Sequence, residues 1–263
     1  MNIVNINKLL KKGVIFIKKI VIFTIVLILC MQTMTLAADF ELDGGFLYTT
    51  FDSETLNDIT NEKNEYYQNE LDEKEQDPSV DLKINNFEQM EELDNATGYW
   101  LGLKSDYLKS KYGINYEVGF LYETFTNDVE VNLYAVDQSS PEYTKVKENL
   151  EIEVEGFAIN SSREINDYFD IIGTVGYYSG EVSSYKRYET YTSSKNVVES
   201  TGSSDLGGNF GYKLGISTDY SISKSLSTIG NISYRFLELD IDNTNETIKF
   251  NGLNFKAGLS YRF

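Results

Sequence analysis

The residues whose types could do chemistry are mostly carboxylates. Forty-one aspartates and glutamates stand against 23 lysines and arginines, for a net charge of −18, and the chain has no histidine and one cysteine, Cys30. Glu151, Glu153 and Glu155 occupy alternate positions, so an extended chain sets all three on one face. Two separated carboxylates can serve as general acid and base, but nothing in this spacing singles out such a pair, and the usual proton carrier near neutral pH is missing. Asp240-Ile241-Asp242-Asn243-Thr244-Asn245-Glu246 offers hard oxygens of the kind calcium takes, yet lacks the glycine and distal glutamate of the EF-hand loop. It reads as a polar turn. There is no glycine-rich phosphate loop and no basic–aromatic patch. A strongly acidic chain repels a polyanion, which sets nucleic acid aside as a partner. The expectation is a protein that is not an enzyme and carries no cofactor or metal.

The elements that would position these residues show period-two alternation. In the last segment Leu253, Phe255, Ala257, Leu259, Tyr261 and Phe263 share one face, and Asn254, Lys256, Gly258, Ser260 and Arg262 the other. A strand separates these sets cleanly, whereas a helix scatters them. The same split recurs in Phe210, Tyr212, Leu214 and Ile216 against Gly211, Lys213, Gly215 and Ser217, and in Val118, Phe120 and Tyr122 against Glu117, Gly119, Leu121 and Glu123. Eight strands are predicted, at 39–52, 96–107, 114–127, 150–160, 168–182, 206–220, 226–239 and 251–263. Within 150–160 the phase blurs after Gly156. The intervals alternate between short (108–113, 161–167, 221–225) and long (53–95, 128–149, 183–205, 240–250). The interval 53–95 holds fourteen acidic residues and few large apolar ones, so it is expected to be mobile and solvated, with a short strand near Val80–Ile84. The interval 183–205 is expected to extend a hairpin.

The first 37 residues read as a secretory signal. Lys8, Lys11, Lys12, Lys18 and Lys19 form a basic region, Ile20 to Met31 an apolar core, and Thr35-Leu36-Ala37 a cleavage site between Ala37 and Ala38. The mature domain would be 38–263, with 18 basic against 41 acidic residues and a net charge of −23. The chain ends on Lys256, Gly258, Tyr261 and Phe263 in phase, which resembles the C-terminal sorting signal of bacterial outer-membrane proteins. Together with the strand pattern and loop rhythm, the mature region resembles the small outer-membrane β-barrel family of the OmpA-transmembrane and OmpX type.

That resemblance implies an all-β fold: a closed antiparallel transmembrane β-barrel of eight strands, ten being the alternative, with short periplasmic turns and long outer loops. It also implies an outer-membrane location, membrane lipid as surroundings, and the outer-membrane assembly machinery as a partner. The barrel enzymes similar in architecture (lipid A palmitoyltransferase, the phospholipase and omptin-type protease) each rely on a histidine, which this chain lacks. In a membrane barrel the apolar face meets lipid and the polar face lines the lumen. Glu151, Glu153 and Glu155 are then expected to pair across the lumen with Lys104, Lys213, Arg235, Lys256 and Arg262, because an unpaired buried charge is costly. The expected role is structural or surface interaction. A narrow porin-like channel is the alternative, and a secreted lipocalin-like barrel with its apolar face inward is a second. No surface ligand is legible.

Overall fold

A strand in hydrocarbon cannot leave its backbone polar groups unpaired, so a sheet that spans a membrane must close. The computed structural model describes residues 40–51, 53–76, 82–106, 116–137, 142–191 and 194–263 and contains such a closed sheet. Its strands are β1 (Phe40–Thr50), β3 (Asn95–Ser105), β4 (Glu117–Asp137), β5 (Tyr143–Asn166), β6 (Phe169–Tyr191), β7 (Lys195–Ser221), β8 (Leu226–Phe236) and β11 (Gly252–Arg262). They pair antiparallel in that order, and β11 returns to β1 through a ladder from Glu41↔Arg262 to Thr49↔Asn254, completing a ring of eight. A short strand β2 (Leu82–Glu88) adds to the distal half of β4, while β9 (Glu238–Asp240) and β10 (Thr247–Lys249) form a separate hairpin. Among the described residues no helix is long and apolar enough to cross a membrane. The expected signal segment and its Ala37–Ala38 junction lie outside the described residues.

The lower barrel is apolar outside. Phe46, Phe120, Ile159, Val175, Phe210, Leu214, Ile232 and Leu259 are all exposed. At its lower rim Tyr116, Tyr168, Tyr220, Tyr261 and Phe263 are exposed as well, as an aromatic girdle at a membrane interface would be. The lipocalin-like alternative places these side chains inward, and the structure has the opposite arrangement.

Above the barrel the long intervals are not loose loops. The hairpins β4–β5 and β6–β7 run on for a further ten or so residues with ladders extending to Val136↔Tyr143 and Tyr191↔Lys195. The interval 53–95, expected to be solvated and mobile, instead forms a helix α1 (Glu54–Glu75) and β2. The acidic composition concealed a sparse apolar stripe: Leu56, Thr60, Tyr67 and Leu71 are buried, at the spacing of one helix face. Ser53 caps the helix by accepting from the Leu56 N–H. The stripe packs on a core that includes Leu93, Val131, Leu133, Leu150, Ile152 and Leu239.

Candidate functional site

Among the described residues a fully buried charge cluster lies in the interior. Glu123, on the inward face of β4, accepts hydrogen bonds from the Lys213 ammonium at 2.5 and 2.6 Å and from the Tyr178 hydroxyl at 2.9 Å. The Lys256 ammonium pairs with Oε2 of the same carboxylate at 2.8 Å. Four strands, β4, β6, β7 and β11, thus meet on one carboxylate that is wholly inaccessible to solvent. Tyr178 reaches it by lying over Gly156, where an added Cβ would overlap the ring. The small residue makes the reach sterically possible.

Arg235 forms the next layer. It is fully buried, donates from Nε to the Phe250 carbonyl at 3.0 Å and from a terminal nitrogen to Thr49 at 2.9 Å, and lies over the Phe125 ring at 4.1 Å. The Lys256 ammonium lies 5.3 Å from the Trp100 ring. Buried cationic groups held by a carboxylate and ring faces are strongly constrained. They block the bore at this level, above cavities of about 50 and 190 Å³ that lead to the lower mouth, and the apolar core capped by α1 lies above them. Toward the lower end, Lys104 pairs with Glu41 at 3.4 Å and Asp43 at 3.2 Å, and Arg262 pairs with Glu41 at the rim.

Of the expected lumen network, the structure places Lys104, Lys213, Arg235 and Lys256 inside, and Arg262 at the lower mouth with its side chain 52% exposed. It does not bring Glu151, Glu153 and Glu155 among them. These three face outward on β5, above the membrane belt, while Leu150, Ile152 and Val154 fill the interior beside them. The carboxylates that serve the lysines are Glu123, Glu41 and Asp43. Each lay on a polar strand face, but without the clustered spacing that drew attention to Glu151–Glu155. Lys256 and Gly258 of the terminal motif face inward or toward the neighbouring strand, whereas Tyr261 and Phe263 face outward with ring centroids 5.1 Å apart. A Cβ at Gly258 would overlap the Gly44 carbonyl. Among the described residues there is no group of three or more acidic or thiol ligands able to hold a metal ion. Asp240 instead accepts from Thr247 at 2.8 Å within the β9–β10 turn.

Outside the membrane region, Glu148 ties α1 to the β5 wall. It is buried, accepts from the Tyr67 hydroxyl at 2.6 Å, and pairs with Lys63. Burial raises its pKa, but the bonds from Lys63 and Tyr67 outweigh that and hold it below the usual carboxylate value. Asn64 adds a two-way bond to Met90, accepting from its N–H at 2.8 Å and donating to its carbonyl at 3.0 Å.

No protein-family model matches this chain, and no curated protein is similar to it. Among solved structures it is similar to a major outer membrane protein from Thermus thermophilus, at 11% identity over 86% of this chain and 100% of that one, with a TM-score of 0.42. It is also similar to Ail, the attachment invasion locus protein of Yersinia pestis, at 10% identity over 87% and 100% with a TM-score of 0.38. A third is the outer membrane protease OmpT of Escherichia coli, at 12% identity over 86% and 96% with a TM-score of 0.31. With every score below 0.5, the fold stands on the closed ladder and the outward apolar belt themselves.

Proposed function

We propose that this chain is an integral outer-membrane β-barrel with a structural or surface-interaction role. It anchors an ordered lobe outside the cell and keeps its lumen shut. The observation that carries this reading is the double seal: the Glu123–Lys213–Lys256–Tyr178 cluster across the bore, and above it an apolar core closed by α1. An eight-stranded barrel has an interior only wide enough for side chains, and here they close it at these two levels. What is left for the surroundings is the outside of the lobe, including the strand edge Lys195–Asp205, where every residue is exposed. The terminal Lys256, Gly258, Tyr261 and Phe263 serve in this reading as the signal for outer-membrane assembly, after cleavage between Ala37 and Ala38. Purified protein reconstituted in planar bilayers should give no stable conductance steps. Steady openings would favour the narrow channel instead.

A further inference from the structure

The outer wall of the lobe carries a groove of about 480 Å³ whose chemistry differs from the rest of this acidic molecule. Cross-strand pairing builds it in rows. One runs Glu88–Asn132–Lys147–Arg187, and the next runs Asn86–Tyr134–Lys145–Glu189. Most of its charges are already committed. Lys147 pairs with Glu130 at 2.5 Å, Glu189 with Lys195 at 2.8 Å and Arg187 at 3.3 Å while also accepting from the Tyr143 hydroxyl at 2.8 Å, and Asn132 donates to Glu88 at 3.2 Å. Lys145 is the exception. Its ammonium rests over the rings of Tyr134 at 4.7 Å and Tyr143 at 5.3 Å and makes no ion pair among the described residues.

We propose that this groove binds a carboxylated saccharide, with the ligand carboxylate on Lys145 and its hydroxyls on the surrounding amide and carboxylate groups. This deepens the reading of the lobe as a surface-interaction element and rests on it. The volume suits a small ligand. The mixture of groups selects the class. Glu189 is already held by Lys195, Tyr143 and Arg187, but Glu88 accepts from Asn132 alone among the described residues and can only accept further, so the ligand must bring hydrogen-bond donors to it, and a sugar ring carries hydroxyls on every side. A densely charged polyanion meets those carboxylates and the net negative charge, and is repelled. An acidic peptide satisfies Lys145 but offers Glu88 few donors. A neutral sugar leaves Lys145 without its anion. The ammonium, steadied by two ring faces, forms a charge-assisted hydrogen bond of the strong kind.

Isothermal titration of the full barrel in detergent micelles tests this, with cellobiouronic acid, cellobiose and hexaglutamate as probes. Saturable heat is expected for the uronic acid disaccharide alone. Lys145→Gln, an exposed change, should weaken it about tenfold while keeping the heat-shifted electrophoretic band of a folded barrel. No heat with the uronate, equal binding of cellobiose, or indifference to Lys145→Gln would overturn the proposal. Binding of hexaglutamate in place of the uronate would overturn it too, by pointing to an acidic protein. If the unmodified protein lacks the heat-shifted band, the barrel reading itself falls.

Discussion

The lower barrel and the outer lobe share the same strands yet invert each other's chemistry. Tyr122, Phe157, Tyr177 and Phe210 form one cross-strand row over β4, β5, β6 and β7. At and below this level the outside is apolar and the inside holds Glu123, Lys213 and Lys256. Four residues higher, the row Thr126–Glu153–Glu181–Asp205 faces outward, and the inside holds Val129, Ile152 and Leu206. Along β4 and β5 the ladder passes this boundary without a register shift, so the inward-facing positions stay inward-facing. Only the surroundings change, from hydrocarbon to water, and with them the side chains each face must carry. The same backbone is thus a membrane barrel below and an ordinary soluble β-lobe above.

The contrast is tested most severely at Glu123. Replacing it by Leu leaves two ammonium groups buried without their carboxylate, and should cost about 3–5 kcal/mol by urea unfolding in lipid vesicles. A cost near zero would mean that the lower lumen is wet rather than sealed. Next comes an arginine placed on the outward face in each half. Leu214→Arg, in the membrane belt, should destabilise by about 2–4 kcal/mol, whereas Glu153→Arg, on the outer lobe, should stay within about 0.5 kcal/mol. Equal penalties would erase the boundary between the halves.

A smaller effect is expected at Glu148, which secures α1. Glu148→Gln should loosen the helix by about 1–2 kcal/mol, seen as faster amide hydrogen exchange at Leu93 and Met90 with the barrel ladders unchanged. The carboxyl's folded-state pKa lies below its ordinary value, so its contribution is complete at neutral pH. It fades as pH falls below the usual carboxylate range and through the lowered folded value. Exchange at these amides should therefore rise on acidification in the unmodified protein, and much less in Glu148→Gln. The smallest effect belongs to the exposed pair Lys147–Glu130. Lys147→Ala should change unfolding by less than about 1 kcal/mol.

The membrane half of the fold was legible because lipid demands large apolar side chains on one face. Phe210, Tyr212, Leu214 and Ile216 alternate too regularly for any other element. The lobe was harder. Leu150, Ile152 and Val154 look like a lipid-facing set, and their neighbours Glu151, Glu153 and Glu155 like lumen residues, because alternation alone does not distinguish inside from outside. The clue lay in the blur after Gly156. Phe157 and Ile159 continue the phase of Glu155, so the apolar set changes face while the strand does not. Glu123 was visible as a polar-face residue, but its role depends on Lys213, Tyr178 and Lys256 converging from strands distant in sequence, which spacing cannot reveal. Helix α1 was obscured because its four buried contacts are spread over 22 residues rich in acid.

The Tyr122–Phe157–Tyr177–Phe210 row also acts as a waterline. Residues two apart along a strand are about 6.6 Å apart, so sinking the barrel by one such step carries Glu155 toward hydrocarbon, and raising it by one lifts Phe157 into water. Either motion repeats on neighbouring strands at once, since the ladder holds them in step. The protein therefore floats at one depth with a narrow draught. A bilayer thicker or thinner than its belt must adapt to the protein, because the protein has no second level at which to settle.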